Sequence, residues 1–96
     1  MATLSPDQIA DQLKPLLGWE SHANGIRKLY RFREFLAGIR FIDRVAELAE
    51  AADHHPDIFV NYTRVTFTCS THSAGGVTAK DFRLARQIED EFAARS

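Results

Sequence analysis

Apolar and polar positions recur along this chain with two different periods, and the changes of period mark its elements. Ser5-Pro6-Asp7-Gln8 opens a helix: Ser5 can cap it, Pro6 suits its first position and Gln8 can close a capping box. Leu4 and Ile9 stand where a hydrophobic staple would form, and Ile9, Leu13, Leu16 and Leu17 share one face at helical spacing. Pro15 weakens the last turn and Gly18 supplies the stop. From Trp19 the pattern becomes extended. Asn24-Gly25 is a favoured hairpin dipeptide, because both positions tolerate positive φ. Beyond it Ile26, Tyr30 and Phe32 fall on one strand face, while Arg27, Leu29 and Arg31 fall on the other.

Glu34 to Asp53 reads as the longest helix. Phe35, Leu36, Ile39, Ile42, Val45, Ala46, Ala49 and Ala52 make a broad apolar face, with Arg40, Asp43, Arg44 and Glu47 opposite. Gly38 inside it costs about 1 kcal/mol against alanine, which marks a close contact. Pro56 ends the helix and biases His55 toward an extended conformation. The next segment changes parity: Ile58, Val60 and Tyr62 are apolar at even positions, Val65, Phe67 and Cys69 at odd ones. A turn around Tyr62-Thr63-Arg64 lets both sets face the core, so two short strands are expected, with Cys69 buried and inert. Ser73-Ala74-Gly75-Gly76 is a loop. In the last helix Thr78 is the cap, Asp81 lies three residues on, and Phe82, Ala85, Ile88 and Phe92 form the buried stripe. This order predicts an α+β fold, a four-stranded antiparallel sheet with three helices packed on one face.

Composition narrows the function more than the fold. Ninety-six residues, 45% of them hydrophobic, are expected to form one domain over residues 1–96 with a thin core. A net charge of −1 gives no field for direct nucleic-acid binding, and RKLYRFR reads as a half-exposed strand rather than a stacking surface. The single cysteine suits a reducing compartment, and no apolar run is long enough to cross a membrane. No signal-peptide pattern begins the chain, so the expected location is cytoplasmic.

Candidate chemistry concentrates between Glu50 and Asp81, which holds three of the four histidines. Glu50 and His54 are one helical turn apart, and His54 ends a helix; both features favour a charged imidazole and suit a general acid. His55 must point elsewhere, and His72 could close the site from another element. Three readings stand side by side: histidines that merely cap and decorate, a metal site with Asp53 or Asp57, and acid/base catalysis without metal. Adjacent histidines seldom reach one ion together, and neither HExxH, GxSxG nor a phosphate-binding glycine loop is present.

Glu50-x-x-x-His54-His55-Pro56-Asp57, Tyr62-x-x-Val65, Thr71-His72-x-x-Gly75-Gly76-Val77-Thr78-x-x-Asp81 and Leu84-Ala85 together resemble the pattern of the pterin-4a-carbinolamine dehydratases, and Gly18-Trp19 upstream also fits. The resemblance implies a hydro-lyase that removes water from 4a-hydroxytetrahydrobiopterin to give quinonoid dihydrobiopterin in cofactor recycling. It implies catalytic roles for His54, His55 and His72, substrate-binding roles for Glu50, Pro56 and Asp81, and neither metal nor cofactor. Asp81 keeps a second reading, since Thr78-x-x-Asp81 is also a capping box. Ile58 departs from the animal members, which tend to carry tryptophan there. The resemblance further implies a homo-oligomer, dimer or tetramer. Its non-enzymatic alternative is a module that stabilises the dimer of a transcription-factor partner through its helix surfaces.

Overall fold

The structure, a computed structural model, describes residues 2–95. Its elements run α1 (Pro6–Leu13), β1 (Glu20–His22), β2 (Gly25–Arg31), α2 (Phe35–Ala52), β3 (Asp57–Asn61), β4 (Arg64–Cys69), a 3₁₀ turn (His72–Ala74) and α3 (Ala79–Ala94). The four strands form one antiparallel sheet in the order β1-β2-β4-β3, as the α+β reading requires. Two hairpins are thus joined through their inner strands, with α2 spanning the gap between them. None of the described helices is long and apolar enough to cross a membrane.

The core lies between the sheet and α2 and α3. Ile26, Tyr30, Val65, Phe67 and Cys69 enter it from the two central strands, and Phe41, Val45, Phe82, Ala85 and Ile88 from the helices. Tyr30, Phe41, Phe67 and Phe92 meet in tilted and edge-on pairs at 4.7–5.8 Å between centroids. Both expected capping boxes are present, Ser5 with Gln8 on α1 and Thr78 with Asp81 on α3. Cys69 is fully buried, and burial, with Asp81 and Asp57 adding repulsion, pushes its thiol far up from the ordinary value. It is inert, as expected.

Four local expectations differ from the structure. The β1–β2 turn is centred on Ala23-Asn24, with Ala23 at φ 52°, while Gly25 already pairs with His22. Glycine is needed there for close approach rather than for the turn, because a Cβ would lie 2.7 Å from the Cys69 carbonyl oxygen. In α1 the helix stops at Leu13, so Leu16 reaches the core while Leu17 stays 80% exposed. On α2 the buried stripe is Gly38, Phe41, Val45 and Ala49, leaving Phe35 and Leu36 exposed. Finally, Ile58 and Val60 pair across from Phe67 and Val65 on the helix side, yet remain 39% and 38% exposed because β3 is the sheet edge. Tyr62 turns out to solvent in the β3–β4 turn, at φ 55°.

Candidate active site

The site forms where α2 ends beside the start of α3. Asp53 adopts a left-handed conformation, φ 50°, and its N–H returns to Ala49 and Glu50 carbonyls. The His54 N–H then bonds the Ala49 carbonyl at 3.1 Å, a helix ending of the Schellman type. This reversal takes His54 off the helical register that would have set it above Glu50. Its ring instead meets α3: Nε2 lies 2.6 Å from Asp81 Oδ1. The Glu50 carboxylate pairs with His55 at the surface, so the expected Glu50–His54 pair is replaced by two different ones.

Asp81 is fully buried, and its second oxygen accepts two hydrogen bonds, from the Thr78 N–H at 2.9 Å and the Thr71 hydroxyl at 2.8 Å. The Thr71 and Thr78 hydroxyls are themselves 2.7 Å apart. Cap and site are therefore one arrangement: each carboxylate oxygen serves one of them. The Thr71 backbone is fixed by a bridge to Gly76, and this sets the 3₁₀ turn that begins at His72.

His54, His55 and His72 line one cleft of about 270 Å³, with Asp53, Ser70, Thr71, Ser73 and Lys80 completing its wall. His72 Nε2 stands 3.5 Å from Ser70 Oγ. Of the other residues singled out in the sequence, Glu50 is exposed and turned to His55, Pro56 is half-buried outside the wall, and Asp81 lies wholly behind His54. Ser70, Thr71 and Lys80 were not anticipated at the wall, although each adjoins His72 or Asp81 within two positions. Among the described residues no three His, Cys, Asp or Glu side chains converge closely enough to hold a metal ion.

An antiparallel sheet backed by helices, with a histidine-lined cleft at the joint of two helices, defines a small domain suited to proton transfer. The chain belongs to the pterin 4 alpha carbinolamine dehydratase family, whose profile matches residues 2–91. It is 48% identical over 90 residues to a Mycobacterium sp. (strain KMS) protein assigned as a pterin-4-alpha-carbinolamine dehydratase, covering 94% of this chain and 96% of that one. A Gloeobacter violaceus protein with a like assignment is 46% identical over 92 residues, covering 92% of this chain and all of its own length, 100%. The crystal structure of a transcriptional coactivator/pterin dehydratase from Brucella melitensis superposes with a TM-score of 0.89 at 33% identity, over 93% of this chain and 97% of that one.

Proposed function

We propose that this protein is a hydro-lyase that dehydrates 4a-hydroxytetrahydrobiopterin to quinonoid dihydrobiopterin, with His54, His55 and His72 moving the protons and no metal taking part. The observation that carries the reading is the convergence of those three histidines on one cleft in a member of this family. The reaction breaks the bond from C4a to its hydroxyl oxygen, and the electron pair leaves with oxygen. An imidazolium in the cleft supplies the proton that turns this oxygen into water, and a neutral imidazole takes up the proton lost from the ring N–H. Each such assistance is typically worth ~10²–10⁴ in rate. Glu50 and Pro56 lie near enough in sequence to hold the pterin edge once the surface pair with His55 opens.

The same reading includes a dimer or tetramer working in the cytoplasm. Support comes from the uncovered β3 edge and from the apolar Phe35 and Leu36 on α2, which leave more apolar surface open than this small core needs. A second role, binding a transcription-factor partner, draws on the coactivator designation of the Brucella structure and on the same exposed helix surface.

The test is a direct assay on freshly generated carbinolamine. Wild-type protein should accelerate dehydration, and should do so equally after treatment with a strong chelator. His54→Ala and His72→Ala should each lower the rate at least tenfold with the circular-dichroism spectrum unchanged. Near-wild-type turnover in both variants would end the acid/base reading, and activity lost with a stoichiometric metal would replace it.

A further inference from the structure

We propose that Asp81 is a positioning residue that fixes the proton of neutral His54 on Nε2 and so presents the other ring nitrogen, Nδ1, to the cleft. The argument is an accounting of protons in a buried network. Thr78 N–H donates to Asp81 Oδ2, as does the Thr71 hydroxyl. Thr71 has then spent its only proton, so the 2.7 Å contact between the two threonines must be donated by Thr78. Thr78 Oγ1 in turn accepts from the Lys80 N–H at 3.3 Å. The Thr71 and Thr78 hydroxyl protons thus each have one destination, and both run toward the carboxylate.

Asp81 sits in the first turn of α3, where the helix end favours a carboxylate, and a carboxylate can only accept. The remaining contact, 2.6 Å from Asp81 Oδ1 to His54 Nε2, therefore needs its proton on the ring. Among the described residues Nδ1 makes no hydrogen bond, and the ring is 12% exposed at the cleft wall. Asp81 itself has no exposed surface and cannot touch a substrate in this arrangement. It acts through His54, and through Thr71 it also anchors the residue next to His72. One carboxylate therefore sets two of the cleft histidines against each other.

The inference rests on the dehydratase reading only for its kinetic arm; its first arm needs no substrate. Long-range ¹⁵N–¹H correlation spectra of the wild-type protein, recorded where the histidines are neutral, should show His54 with its proton on Nε2. A proton on Nδ1 would overturn the proposal, since Asp81 would then be the donor. In Asp81→Asn the amide oxygen can still accept from Thr71 and Thr78 only by turning its NH₂ group toward His54. Nε2 must then accept, and the His54 tautomer should invert to Nδ1–H. Turnover should fall at least tenfold in kcat while KM stays within about twofold, because the nitrogen facing the substrate changes state and the substrate's own contacts do not. A merely structural Asp81 would leave the tautomer as it was, and a substrate-contacting one would raise KM with kcat kept; either result sinks the proposal. If the variant does not fold, the wild-type spectrum alone decides. A wild-type protein inert toward the carbinolamine would end the dehydratase reading while leaving the tautomer result to stand or fall by itself.

Discussion

His54 Nε2 and Asp81 Oδ1 lie 2.6 Å apart although 27 positions separate the two residues in sequence. The contact is made possible by two helix ends meeting. The left-handed Asp53 swings His54 out of α2, and the capping box of α3 holds the Asp81 carboxylate at a helix N-terminus, where a negative charge is favoured. A cap is a rigid place to keep a charged group, because its orientation is set by backbone rather than by a long side chain. The device that starts α3 is thereby also the wall behind the histidine.

That double duty has a stability consequence. Asp81→Ala keeps the Thr78 cap but opens the capping box, and leaves the Thr78 N–H, the Thr71 hydroxyl and His54 without their buried acceptor. Losing one half of a capping box costs up to about 1 kcal/mol and a buried group left unpaired about 1–3 kcal/mol, so a loss of about 2–4 kcal/mol is expected by denaturant titration. A loss below about 0.5 kcal/mol would show that water replaces the carboxylate.

The pairing of Glu50 with His55 makes a prediction opposite to the one its spacing from His54 suggests. Glu50→Gln removes a carboxylate from His55 and touches no described contact of His54. The His55 ring signals, followed by NMR, should move in the variant, while the His54 signals stay in place. Movement of His54 alone would restore the helical-turn coupling between positions 50 and 54.

How far the sequence reveals this arrangement depends on how local each cause is. Helix α3, its cap and its buried stripe are legible because Thr78, Asp81, Phe82, Ala85 and Ile88 act within a few residues of one another. The parity change at Tyr62 reveals the β3–β4 turn for the same reason. Phe35, Leu36, Ile58 and Val60 mislead, because an apolar pattern says that a face is apolar and not what covers it. The histidines of the cleft are visible as residue types, but the His54 partner is not. Spacing of four in a helix favours Glu50, and only the non-local meeting of α2 with α3 hands the ring to Asp81. The polar cluster of Trp19, Lys28, Tyr30 and Glu89 leaves no sequence pattern, since its members come from a loop, a strand and a helix.

The β3 edge provides a test of assembly. Ile58 and Val60 point to the helix side of the sheet but stay more than a third exposed, and β3 has no partner on its outer side among the described residues. A second copy that extends the sheet or lays a helix there would cover them. Light scattering should give a mass of at least twice the 10.9 kDa chain, and Ile58→Lys with Val60→Lys should bring it down toward one chain. A wild-type monomer at micromolar concentration would remove the assembly from the proposed function.

The last prediction concerns Glu89, whose carboxylate gathers three donors inside the fold. Its Oε1 accepts from Lys28 at 2.5 Å, from the Tyr30 hydroxyl at 2.5 Å and from the Trp19 indole at 3.2 Å. Burial on its own would favour the neutral acid, but the hydrogen bonds from Lys28, Tyr30 and Trp19, with the Lys28 charge, outweigh it and hold Glu89 below its ordinary 4.5. Burial and the adjacent carboxylate push the Tyr30 phenol strongly upward, so it remains a donor throughout the working range. A carboxylate that is more acidic folded than unfolded stabilises the fold fully above its unfolded value, and that stability is lost as pH falls through the folded one. Glu89→Gln keeps the shape and some of the hydrogen bonding but loses the charge, and should cost about 1–2 kcal/mol at neutral pH. The gap between wild type and variant should stay level down to roughly the ordinary 4.5 and then close as the pH drops further. Thermal or denaturant unfolding across that window measures it. A gap that widened on acidification would mean that Glu89 is held in its neutral form in the folded protein, and that its three donors do not outweigh its burial.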